Sequence, residues 1–118
     1  MISKHFAIFA SGNGSTAQML LSHFAKNESI HVAFVLTNNP NAKVIQIAES
    51  FQVPVIISNN ENVNNPNYLI EICEKNNVSY IVLAGYLRKI PSEFVSYFPN
   101  KIINIHPALL PKFGGKGM

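Results

Sequence analysis

Two stretches of this sequence combine residue types that can do chemistry. Near one end, Asn104-Ile105-His106-Pro107 sets an amide and an imidazole two residues apart. Positions two apart on an extended chain point to the same side, so these side chains are expected to emerge together. His106 can take or give a proton near neutral pH, and the Asn104 amide can donate to a developing oxyanion. Pro107 and Pro111 restrict the turn that presents them. Near the other end, Gly12-Asn13-Gly14-Ser15-Thr16 lies between an apolar run and a helix-period pattern. Backbone N–H groups at such a turn, with the positive end of a helix dipole behind them, suit an anion. The glycines allow close approach, and the two hydroxyls suit phosphate oxygens.

The glycine loop also fits the loose dinucleotide pattern, with Gly12, Gly14 and Ala17 at its small-residue positions. That pattern asks for an acidic residue about 20 residues on, at the end of the second strand. This chain has Leu36, Thr37 and Asn38 there, which disfavours NAD. No Gly-Lys-Ser/Thr follows either, so the loop is not a Walker loop. A tight strand-to-helix turn without any ligand stands as the alternative reading.

The other candidates are less pointed. His5 and His31 fall at strand starts and His23 on a helix flank, so all three read as structural or exposed. Cys73 sits on the apolar side of a helix and reads as a small core residue. Arg88, the only arginine, is either a solvated charge or a ligand contact. The chain has fifteen Asn and no Asp, so a mechanism that needs an aspartate cannot be completed by these residues.

The elements that must position these groups follow from periodicity. Apolar, β-branched runs predict strands over residues 4–10, 30–36, 53–57, 80–84 and 101–105. Between them, Ala17, Leu20, Leu21 and Phe24 repeat at helical spacing, as do Val44, Ile47, Ala48 and Phe51. Residues 58–65 read as a polar loop, and Asn65-Pro66 as a helix start with Pro at its first position. That helix turns Leu69, Ile72 and Cys73 inward, and a short helix is expected over residues 91–97. Strands and helices alternate, and the strands are continuously apolar, which marks a parallel sheet covered on both faces. The expected fold is a doubly wound, mostly parallel Rossmann-like α/β sheet. Ligands should bind at the carboxyl ends of its strands, where the loops at residues 11–15, 38–41, 85–90 and 104–111 gather.

Composition narrows the function classes. The length of 118 residues allows one domain, and 47% apolar content can build one core. The formal charge of +3 comes from basic residues scattered along the chain, with no run of three, so no nucleic-acid stripe is written here. One cysteine excludes an internal disulfide framework and a cysteine-based zinc site. No apolar run reaches the roughly 20 residues of a membrane span, and no signal pattern opens the chain. A cytoplasmic protein is expected. The glycine-rich residues 112–118 resemble the middle of a loop, so the fold is expected to be truncated before its C-terminal elements.

Taken together, Ser11-Gly12-Asn13-Gly14-Ser15, Leu83-Ala84-Gly85-Tyr86-Leu87-Arg88 and Asn104-Ile105-His106-Pro107 with Leu109-Leu110-Pro111-Lys112 resemble the phosphoribosylglycinamide formyltransferases. The likeness runs over the whole chain, which would then be the N-terminal part (residues 1–118) of a single formyltransferase domain. The resemblance implies formyl transfer from 10-formyltetrahydrofolate, as co-substrate, to the amine of glycinamide ribonucleotide in purine synthesis. Gly12, Asn13, Gly14, Ser15 and Thr16 would hold the ribonucleotide phosphate. Gly85, Tyr86, Leu87, Arg88, Lys89 and Ile90 would border or form the folate pocket, and Asn104 and His106 would be catalytic. It implies small-molecule partners, no metal, no nucleic acid and no membrane, and leaves a homodimer open. Thr16 replaces a usual asparagine, Ala108 a common serine, and residues 58–65 lack the arginine some members direct at the folate tail. The family's later catalytic aspartate is absent, so the 118 residues alone are expected to be inactive. The rival readings are formyltetrahydrofolate hydrolase or another folate-dependent formyltransferase, and a non-catalytic phosphate- or nucleotide-binding module.

Overall fold

A computed structural model describes residues 4–12 and 14–105. The chain alternates strand and helix as β1 (Lys4–Phe9), α1 (Ser15–Phe24), β2 (Ile30–Thr37), α2 (Val44–Ser50), β3 (Val55–Ile57), α3 (Asn60–Val63), α4 (Pro66–Lys75), β4 (Tyr80–Ala84), α5 (Ser92–Tyr97) and β5 (Ile102–Ile105). The five strands form one sheet in the order β3-β2-β1-β4-β5, and every pairing is parallel. The expected doubly wound α/β sheet is therefore the observed one.

The two faces of the sheet carry separate cores. On one, Ile8, Val35 and Val82 meet Ala17 and Leu21 of α1 and Val44 and Ala48 of α2. On the other, Phe9, Phe34, Leu36 and Ile81 meet Leu69 and Cys73 of α4 and Phe94 of α5. Helices of six to ten residues are marginal alone in water, so this burial is what holds them. Each fully buried Leu or Phe contributes about 1.5–3 kcal/mol relative to exposure.

Local chemistry fixes the entry to α4. The Asn65 side chain accepts from the N–H groups of Asn67 and Tyr68, and Pro66 occupies the first turn, where its missing N–H costs nothing.

Three details depart from the periodic reading. The span read as a loop, residues 58–65, contains α3, because the Asn59 side chain caps the Asn62 N–H at 2.7 Å and Val63 is fully buried. The third strand begins at Val55 rather than Val53. Pro54 has no N–H to give the ladder, although its carbonyl accepts from Val35. Ile72 packs against the same core as Leu69 and Cys73, as expected, but stays half-buried. Finally, β5 is not covered on both faces among the described residues, since Ile103 is 45% exposed and Asn104 is exposed.

The β1–β2 register also shifts by one. Phe6 pairs with Val32 but Ala7 with Phe34, so the consecutive residues Ala33 and Phe34 both pack into the second core.

Candidate functional site

The strand order reverses beside β1. From there the chain winds outward through β2 and β3 on one side, and through β4 and β5 on the other. Loops leaving β1 and β4 diverge at such a switch point and open a crevice above it. The glycine turn follows β1, and the loop of residues 85–90 follows β4, on either side of this point.

The β1–α1 turn ends in Gly14, whose φ of 87° is a left-handed conformation that glycine adopts without strain. Among the described residues no side chain caps α1, and the Gly14 carbonyl accepts from the Gln18 N–H at 2.7 Å. Gly14, at the N-cap, itself places no side chain over the positive end of the helix dipole. Gly12 is exposed, and a Cβ placed on it would meet nothing within 4 Å. Of the two hydroxyl residues, Ser15 is exposed, while Thr16 is 5% exposed and lies on the buried side of α1 with Ala17.

After β4, Gly85 turns the chain with a φ of 67°. Tyr86 folds back against Phe9, ring edge to face at 5.5 Å. Its hydroxyl is buried without a hydrogen-bond partner among the described residues, as is Arg88 Nε. Burial pushes the Tyr86 phenol up to about 12, against a smaller opposing pull from the Arg88 charge. Arg88 is no free solvated charge, since its Nη2 donates to Asn64 Oδ1 at 3.4 Å. Leu87, by contrast, is 82% exposed. Two unpartnered polar atoms beside an exposed leucine suit a ligand with an apolar body and polar edges.

Between the two loops stands Ser11, to which the sequence reading assigned no role. Its N–H donates to the Gly85 carbonyl at 3.4 Å. Its hydroxyl accepts from the Leu87 N–H at 3.2 Å and donates to Asn38 Oδ1 at 2.8 Å. Asn38 Nδ2 in turn donates to Asn60 Oδ1 at 3.2 Å. Thus Asn38 occupies the end of β2, where a dinucleotide enzyme would hold its acidic residue, and binds the protein's own loops. A small hydroxyl residue two positions past the end of β1 was the signal available for this role.

Asn104 lies in β5 opposite Leu83 of β4. His106, Asn13 and the rest of the segment 106–118 lie outside the described residues. The remaining histidines fall where the sequence reading put them. His5 and His31 are register partners with ring centroids 5.4 Å apart, and His23 is exposed. Cys73 is fully buried. Among the described residues, no group of three or more His, Cys, Asp or Glu is placed to hold a metal ion. No helix among them is long and apolar enough to cross a membrane.

A parallel, doubly wound sheet with a glycine turn after its central strand defines the Rossmann-like class of α/β proteins. The formyl transferase family matches residues 4–118, and the chain belongs to that family. It is 37% identical to the chloroplastic phosphoribosylglycinamide formyltransferase of Arabidopsis thaliana, over 98% of this chain and 41% of that protein. It is 38% identical to the phosphoribosylglycinamide formyltransferase of Bacillus subtilis, over 95% of this chain and 60% of that protein. The chain thus spans about half the length of these relatives. Among solved structures, glycinamide ribonucleotide transformylase 1 from Geobacillus kaustophilus superposes with a TM-score of 0.81 at 32% identity, covering 97% of this chain and 63% of that one.

Proposed function

We propose that the protein carrying this chain transfers the formyl group of 10-formyltetrahydrofolate to the amine of glycinamide ribonucleotide, and that residues 1–118 are the N-terminal part of its formyltransferase domain. The observation that carries this reading is the meeting of the β1 and β4 loops at the switch point, joined through Ser11 and Gly85. It puts the glycine turn next to residues 85–90, which supports a site where a phosphorylated amine meets a folate. Gly12, Asn13, Gly14, Ser15 and Thr16 hold the ribonucleotide phosphate, chiefly through backbone N–H groups. Residues 85–90 hold the folate, with Leu87 supplying apolar contact and Tyr86 and Arg88 supplying donors.

In the reaction, the substrate amine attacks the formyl carbon and a new C–N bond forms. Negative charge develops on the formyl oxygen, where Asn104 and protonated His106 stabilise it. The bond from the formyl carbon to the folate nitrogen then breaks, and His106 assists the proton that passes from the attacking amine to that nitrogen. The test is to incubate the full-length protein with both substrates. Formylated ribonucleotide and tetrahydrofolate are expected in equal amounts. Release of formate without amine formylation would instead make it a hydrolase, and binding without turnover would make it a non-catalytic module.

A further inference from the structure

The polar chain through Ser11 does more than close a turn. It runs in one direction: Leu87 N–H donates to Ser11 Oγ, Ser11 donates to Asn38 Oδ1, and Asn38 Nδ2 donates to Asn60 Oδ1. Its members lie on four separate segments, after β4, after β1, after β2 and in α3. Ser11 is 7% exposed, and loss of its hydroxyl leaves the Leu87 N–H and the Asn38 carbonyl without their mutual partner in a part-buried setting. Each group in such a chain polarises the next.

We infer that Ser11 is a positioning residue that holds the β1–α1 loop and the β4–α5 loop in register, so that a ligand in either loop strengthens binding in the other. This rests on the assignment of those loops to ribonucleotide phosphate and folate. The physical route is short. Gly12 is the next residue after Ser11, and Leu87 lies between Tyr86 and Arg88. An anion that fixes the glycine turn fixes the Ser11 backbone and hydroxyl, and with them the Leu87 N–H and the Gly85 carbonyl. A folate that fixes residues 85–90 works in the opposite direction, because coupling between two binding sites is reciprocal. Asn38 sets the hydroxyl's rotamer. It is a hydrogen-bond acceptor, so the Ser11 proton turns toward it and leaves an oxygen lone pair for Leu87.

The experiment is calorimetric titration of the full-length protein with ribose 5-phosphate, with and without saturating 5-methyltetrahydrofolate, a folate with no formyl group to transfer. In the parent protein the folate should tighten phosphate binding by about fivefold or more, in the range typical of coupled sites. Ser11→Ala should bring that factor to within about twofold of unity, and Ser11→Thr, which keeps the hydroxyl, should restore it. Asn38→Asp, which keeps the acceptor, should retain the coupling, whereas Asn38→Ala should weaken it. A merely structural serine would lower thermal stability and leave the coupling factor of the folded protein unchanged. That result, or absence of coupling in the parent protein, would overturn the inference. If neither probe binds the parent protein, the functional reading itself fails and this role falls with it.

Discussion

Gly14 and Val44 stand so close that a Cβ on Gly14 would lie 3.1 Å from the Val44 Cα and 3.2 Å from its nitrogen. The start of α2 is thus seated against the glycine turn that begins α1. Contacts at 3.1–3.2 Å with backbone cannot be relieved by turning a side chain. The third contact, Ile47 Cδ1 at 2.7 Å, can give way because it is the tip of a flexible side chain.

Gly14→Ala should therefore destabilise the protein by about 2 kcal/mol or more, combining the left-handed backbone cost with displacement of α2. Gly12→Ala is the contrast, because its Cβ would enter open space. That variant should unfold within about 0.5 kcal/mol of the parent protein while losing phosphate affinity, since the new methyl occupies the anion's approach. Urea unfolding paired with phosphate titration separates the two effects. Equal stability losses at both positions would contradict this account of the loop.

In the full-length protein, Asn104→Ala and His106→Ala should each reduce kcat by about 100-fold or more. Ribonucleotide binding should weaken far less, because the proposed phosphate site is the other loop. Steady-state kinetics and direct titration give the comparison, and kcat values within a few-fold of the parent protein would remove the pair from the mechanism.

Alkaline pH should destabilise the fold through two buried acids. Burial, aided by the neighbouring Glu74 charge, pushes the Cys73 thiol from 9.0 up to about 12. Burial likewise raises the Tyr86 phenol from 10.0 to about 12. Both folded-state values lie above the unfolded ones, so between pH 9 and 12 the unfolded chain binds fewer protons than the folded one. Stability is fully present below about pH 9 and is lost as pH rises toward 12. Urea midpoints measured across that window should fall, and Cys73→Ala should flatten the decline. An unchanged slope in that variant would acquit the thiol.

Asn65→Ala should lower stability by about 1 kcal/mol through loss of the α4 cap. Asn65→Asp keeps the accepting oxygen and adds a negative charge at the helix N-terminus, so it should match or exceed the parent protein. Thermal unfolding of the two variants checks the pair, and equal losses would point to something other than capping.

The sequence by itself determined what is local. Apolar runs and helical spacing set the order of strands and helices, since burial of one face is encoded within each element. Asn65-Pro66 marked the start of α4, because a cap and its helix lie within three residues of each other. The glycine turn and the Asn104 strand end were legible for the same reason, being short patterns with their chemistry on board.

Tertiary structure decided the rest. Strand order, with β1 between β2 and β4, depends on pairings between distant segments that periodicity does not contain. The one-residue shift that sends Ala33 and Phe34 into the same core arises only when β2 is laid against β1. The exposure of Ile103 depends on what packs over β5, and the α3 turn depends on burial of Val63. Ser11 is the clearest case. Its hydroxyl partners lie 27 and 76 residues away, so its place at the centre of the site exists only once the sheet has brought three loops to one end.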